Sequence, residues 1–257
     1  MTNSDSNYAS LLRPVHKLSG KLVVSCQAST GEPLCSPEHI LALSLSAING
    51  GAGALRLEGV ENIRLVRAHT TLPIVGLTKN DEVPASERLK KVYITGTFAE
   101  AKELSEAGAD IIALDATGRP RPDGLSLAET ITKIREELNK AVWADVATFA
   151  QGLAARDAGA TIVSTTMYGY TEETFLPPEA PPNFELLKEL CQHLEVPVIL
   201  EGRVWYPEEI AKAFELGAYA VVVGSAITRP QLITKRFVDA IPARISKHSS
   251  SLGFQQG

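Results

Sequence analysis

Val198-Ile199-Leu200-Glu201-Gly202-Arg203 and, one helix further on, Val221-Val222-Val223-Gly224-Ser225-Ala226 are short, unbroken apolar runs that stop at glycine. Runs of that length and composition read as strands buried on both faces, the kind found in parallel sheets. A glycine at the carboxyl end lets backbone N–H groups come close to a ligand. The helix start just beyond adds free N–H groups and a partial positive charge. Two such ends side by side make a seat for a phosphate group, with Gly202, Gly224 and Ser225 as its residues.

Working outward, the same unit recurs along the chain. Apolar runs at 22–25, 54–57, 73–77, 111–114, 141–144 and 162–166 precede these two and alternate with helical stretches. Ser36, Thr97 and Thr148 are placed to cap helices, with Pro37 at the first helical position. Residues 92–95 suggest a minor strand. Gly53-Ala54, Gly108-Ala109, Gly159-Ala160 and Gly217-Ala218 each sit between a helix end and an apolar run, where glycine suits a left-handed cap. Each interval between them holds two strand–helix units. Eight strands alternating with helices in about 250 residues predict a single-domain (β/α)8 TIM barrel. A doubly wound sheet fits less well, because no G-x-G-x-x-G follows the first strand.

Composition bounds the function. The chain has 257 residues, is 44% hydrophobic and carries a net charge of −5, enough to bury a full core and without the basic face of a nucleic-acid-binding protein. Cys26, Cys35 and Cys191 are odd in number and irregularly spaced, so neither a disulfide framework nor a zinc pattern emerges. No run is long enough to span a bilayer, and residues 1–10 lack the apolar core of a signal peptide. The expected division is an N-terminal arm or docking helix at 1–19, the barrel at 20–245 and a polar tail at 246–257. The expected location is the cytoplasm, with no nucleic-acid or membrane partner.

In a (β/α)8 barrel the chemistry sits where the strands end. Polar residues stand there on almost every strand: Gln27, Arg56, Lys79, Asp115, Asp145, Thr165 with Thr166, and Glu201. Each has a plainer reading. Glu201 is also placed to pair with Arg203, Asp145 and Asp115 to cap the helices that follow, and Arg203 either to brace a loop or to touch phosphate. Cys26 has no strand-end histidine to activate it and reads as a small buried thiol. The five histidines show no ligand spacing, so no metal site is expected.

Taken in order, Val24-Ser25-Cys26-Gln27-Ala28, Gly76-Leu77-Thr78-Lys79, Ala113-Leu114-Asp115-Ala116-Thr117, Ala144-Asp145-Val146, Thr165-Thr166-Met167-Tyr168-Gly169-Tyr170-Thr171, Glu201-Gly202-Arg203 and Val223-Gly224-Ser225-Ala226-Ile227-Thr228-Arg229-Pro230 resemble the N-acetylmannosamine-6-phosphate 2-epimerases. The resemblance runs from about residue 20 to 240. It implies interconversion of N-acetylmannosamine 6-phosphate and N-acetylglucosamine 6-phosphate in amino-sugar or sialic-acid catabolism, without a redox cofactor, by a homodimer. It also implies that Lys79 and Glu201 carry the chemistry. Gly96 stands where a proline is expected, Asn80 where an arginine is expected, and the proline-rich loop at 171–183 falls outside the pattern.

The chemistry asks for these residue types independently. Inverting C2 of an N-acetylhexosamine requires removal and return of a carbon-bound proton next to the aldehyde of the open-chain sugar. A base must sit over C2 and donors must face the developing oxyanion. Lys79 is the expected base and Glu201 its positioning partner or a proton carrier in ring opening. Arg56 and Gln27 are expected on the acyl group or oxyanion, Asp145 and Thr165 on the sugar, and Arg203 beside them. A Schiff-base lyase or synthase would use the same lysine as a nucleophile, and a phosphosugar sensor would bind without turnover.

Overall fold

A computed structural model of the protein describes residues 3–80, 83–84 and 86–242, with residues 3–7 as backbone only. The expected polar tail at 246–257 lies outside the described residues. Eight parallel strands close into a barrel in sequential order, β1 pairing with β8. They are β1 (Lys21–Cys26), β2 (Ala54–Glu58), β3 (Ile74–Leu77), β4 (Ile111–Asp115), β5 (Ala141–Asp145), β6 (Ile162–Ser164), β7 (Val198–Glu201) and β8 (Ala220–Val223). The helices are α1 (Asn3–His16), α2 (Pro37–Asn49), α3 (Val60–Arg67), α4 (Phe98–Ala107), α5 (Leu127–Glu137), α6 (Phe149–Asp157), α7 (Phe184–His193), α8 (Pro207–Glu215), α9 (Ser225–Thr228) and α10 (Pro230–Asp239).

Strand parity divides the core in two. Leu55, Leu57, Ile112, Leu114, Val142, Ala144 and Leu200 face outward and pack with the buried sides of the helices. Val23, Ala54, Val75, Ile111, Ala141, Trp143, Ile162, Ile199 and Ala220 fill the barrel interior. Successive side chains on a strand point to opposite faces, so the same parity carries Ser25, Arg56, Asp115, Asp145, Ser164 and Glu201 inward at the carboxyl ends. The register sets Ser25 beside Arg56 and Asp115, Asp145 and Ser164 side by side.

The helix ends follow from local chemistry. Ser36, Thr97, Ser126 and Thr148 accept hydrogen bonds from the third residue beyond them, and Thr97 and Ser126 form full capping boxes with Glu100 and Glu129. Such caps satisfy N–H groups that the helix leaves unpaired.

Two expectations change, and one left open is decided. Gly108, Gly159 and Gly217 adopt positive φ, but Gly53 does not; Gly51 makes that turn at φ 96°. Gly53 is needed for closeness instead, since a Cβ there would lie 2.6 Å from Lys21 Cβ. Residues 92–95 form no strand, only a single antiparallel bridge between Ile94 and Lys79. The first residues form α1, whose Leu11 and Val15, with Leu18 beyond it, are buried under the amino-terminal ends of the strands.

Candidate active site

The carboxyl-terminal mouth holds a cavity of about 380 Å³, within the ~300–1,000 Å³ usual for small-molecule clefts. Lys79, Glu201, Arg56, Thr166 and Gln27 line one part of it. Gly202, Gly224, Ser225, Arg229 and Arg203 line another. Tyr93 and Ile94 come from the segment after β3, and Tyr170 and Pro178 from the long loop after β6.

Arg56 is the buried hub. It is 1% exposed, with its guanidinium 5.3 Å over the Trp143 ring. Its Nη2 donates to Asp145 Oδ2 at 2.6 Å, and its Nε lies 3.1 Å from Glu201 Oε1. The Nη1 and Nε of Arg56 are buried and make no hydrogen bond. A buried cation held between two carboxylates is fixed in place before any ligand arrives.

Glu201 holds its proton more tightly than an ordinary carboxyl group. Burial pushes its carboxyl up to about 7 from 4.5; Arg56 opposes that shift, Asp145 reinforces it, and the Thr166 hydrogen bond and the charge of Lys79 oppose it. A carboxyl group with proton affinity near neutrality is suited to acid–base catalysis. Lys79 and Glu201, 122 positions apart by their numbers, therefore face one cavity and feel each other's charge.

At the glycine-ended strands, Gly202 takes φ 106° and Gly224 caps α9. A Cβ on Gly224 would lie 3.3 Å from Ser25 Cβ, so the backbone there approaches β1 closely. Arg229, which opens α10, adds a cation; its Nη2 lies 3.4 Å from Glu32 Oε2. The sequence reading passed over Arg229 as a site residue, although its place just past the last strand's glycine was the available signal.

Several expected contacts are corrected. Asp145 is fully buried and does not line the cavity, its oxygens being engaged by Arg56 and Thr166. It supports Arg56 from beneath the cavity. Thr165 is also turned away, because its hydroxyl is bonded to the backbone of Glu201. Thr166 takes the place on the cavity wall. Glu201 pairs with Arg56 and not with Arg203. The Arg203 guanidinium donates to the carbonyls of Tyr168 and Leu176 and stacks 4.5 Å from the Tyr170 ring centroid, so it braces the loop after β6. Asp115 binds Arg119, Thr117 and the Tyr93 N–H and is structural. Burial pushes the Cys26 thiol up to about 11, which keeps it an inert core group. Among the described residues no group of three His, Cys, Asp or Glu side chains is placed to hold a metal.

A closed parallel barrel with a lysine, a glutamate and an arginine lining one cavity at its carboxyl-terminal mouth has the build of a (β/α)8 enzyme. A family model described as "Putative N-acetylmannosamine-6-phosphate epimerase" matches residues 40–243. A relative in Caldanaerobacter subterraneus, named "Putative N-acetylmannosamine-6-phosphate 2-epimerase", is 44% identical over 90% of this chain and 94% of its own length. One in Cutibacterium acnes, of the same name, is 42% identical over 89% and 97%. The solved N-acetylmannosamine-6-phosphate 2-epimerase from Clostridium perfringens superposes with a TM-score of 0.82 at 40% identity, covering 88% of this chain and 96% of that one. The chain belongs to the N-acetylmannosamine-6-phosphate epimerase family, and is an isomerase.

Proposed function

We propose that the protein interconverts N-acetylmannosamine 6-phosphate and N-acetylglucosamine 6-phosphate by moving the proton on C2. The carrying observation is that Lys79 and Glu201 meet in one cavity whose far part is made of the glycine-ended strands β7 and β8. In this reading Gly202, Gly224, Ser225 and Arg229 receive the phosphate, and the reacting end of the sugar lies against Lys79, Glu201 and Arg56.

The proton steps balance as follows. Ionised Glu201 takes the proton of the anomeric hydroxyl while the Lys79 ammonium gives one to the ring oxygen, which opens the ring to the aldehyde. With Glu201 now neutral, the charge that favoured the ammonium is gone and Lys79 is left as the neutral amine. Lys79 removes the C2 proton, and the enolate oxygen forms against Arg56. Return of the proton to the other face of C2 and ring closure complete the inversion. No electrons are transferred, so no step calls for a redox cofactor.

Lys79→Met tests the assignment. Exchange of the C2 proton with heavy water, followed by proton NMR, should vanish while calorimetric binding of N-acetylmannosamine 6-phosphate persists. Exchange at the wild-type rate would remove Lys79 from the role. No helix among the described residues is long and apolar enough to cross a membrane; a cytoplasmic, homodimeric enzyme of sialic-acid catabolism completes the proposal.

A further inference from the structure

Thr166 sits at a crossing of three oxygens. Its Oγ1 lies 2.7 Å from Asp145 Oδ1, 3.0 Å from Glu201 Oε2 and 2.7 Å from Ser164 Oγ. A hydroxyl has one hydrogen to give and two lone pairs to receive. It can donate to one of the two carboxyl groups only. The contact with the other is a hydrogen bond only if that carboxyl brings its own hydrogen. With both carboxylates ionised, one carboxylate oxygen faces a lone pair. With one proton on the pair, every contact is met: Thr166 donates to one carboxyl group and accepts from the other and from Ser164.

The opposite side of the pair has the same form. Arg56 hydrogen-bonds Asp145 through Nη2, while its Nε is only ion-paired with Glu201 at 3.1 Å, without hydrogen-bond geometry. Arg56 and Thr166 thus close a ring around the two carboxyl groups, with one cation for two acids. We propose that Thr166 is a positioning residue that makes Glu201 a stronger base, by holding the Asp145 and Glu201 carboxyl groups on one hydroxyl so that the pair is satisfied when it carries a single proton. Burial raises the pKa of both carboxyl groups; Asp145, hydrogen-bonded to Arg56 at 2.6 Å, is the better compensated and keeps the negative charge, and Glu201, at the cavity, receives the proton. This rests on the reading of Glu201 as the ring-opening base.

The other charges on the pair come from Lys79 after β3 and Asp115 at the end of β4, and neither changes in the variants below. A hydroxyl that simply donated to Glu201 would favour its ionised form, so the hydrogen count reverses the sign expected of an ordinary hydrogen bond. That sign is the test.

In Thr166→Ala a water among Ser164, Asp145 and Glu201 has two hydrogens and can donate to both carboxylates, which favours the doubly ionised pair. The kcat/KM profile of the wild type should fall on the acid side near pH 7. In Thr166→Ala that limb should move about one unit to lower pH, a tenfold loss of proton affinity, and Thr166→Ser should restore it. A limb that stays in place, or moves to higher pH, overturns the proposal. Carboxyl carbon-13 NMR of the ligand-free enzyme, titrated in wild type and Thr166→Ala, reads the same shift without activity. If Glu201→Gln kept the wild-type acid limb, the ring-opening role of Glu201 would be lost. The carbon-13 titration would still decide the role of Thr166.

Discussion

Glu201 shows at the level of one side chain how function and stability oppose each other. Its folded-state pKa of about 7 lies above the ordinary 4.5, so between those values the folded chain holds a proton that the unfolded chain has released. The associated stability is full below pH 4.5, declines as pH rises and is gone above about 7, a loss of up to roughly 3 kcal/mol. Glu201→Gln has no such cost. It should melt at the same temperature as wild type at pH 5 and several degrees higher at pH 8, while losing the acid limb of kcat/KM. A variant that gained nothing at pH 8 would mean that the buried charge is fully compensated by Arg56. Much at this scale was legible in the sequence, because strand-end polar residues must enter the mouth. What escaped was the layering. Asp145 and Arg56 share the inward parity, yet the long arginine reaches the cavity wall while the short aspartate stays beneath it. Thr165 and Thr166 are adjacent and alike, and only the turn at Thr165–Met167 decides which one faces Glu201.

The elements at the two ends of the barrel have separate duties. At the amino-terminal end, Leu11, Val15 and Leu18 close the interior below Val23, Ala54 and Ala141. Leu18 is fully buried, and Leu18→Ala should cost about 2–5 kcal/mol. Unfolding in urea should show that loss with kcat/KM unchanged, because the cavity lies at the other end of the strands. A matching fall in kcat/KM would show that the plug also shapes the mouth. The sequence left open whether this stretch was an arm or a helix, since a helix with Pro14 inside and few apolar residues earns its place through tertiary burial, not propensity. The segment at 92–95 misled for the converse reason. Its apolar residues are buried, but they fold back on β3's continuation, with Asn80 N–H bonded to Tyr93 O and Thr95 N–H to Thr78 O. Ile94 is thereby delivered to the cavity wall.

For the molecule as a whole, the repeating strand–glycine–helix grammar was enough to define the closed barrel, because each buried parallel strand must be covered by a helix before the next begins. Assembly is not written in that grammar and has to be read from what the single chain leaves uncovered. Helices α2 to α8 each bury part of their surface, whereas α10 buries no side chain. Phe237, Val238 and Ile241 stand 74%, 56% and 57% exposed on it or just past it. Three large apolar residues in one stretch mark an association surface more often than a solvent face. A second copy is the partner the family resemblance implies, and an isologous contact would pair the helix with itself. Because Arg236 stacks 4.3 Å from the Trp205 ring, α10 is tied to the cavity wall, and Leu232 on the same helix lines the cavity. Sedimentation should therefore give a dimer for the wild type and a monomer for Phe237→Lys with Val238→Lys, the monomer showing a raised KM. A wild type that sediments as a monomer at micromolar concentration, or a double variant that still dimerises, would place the subunit contact elsewhere or nowhere.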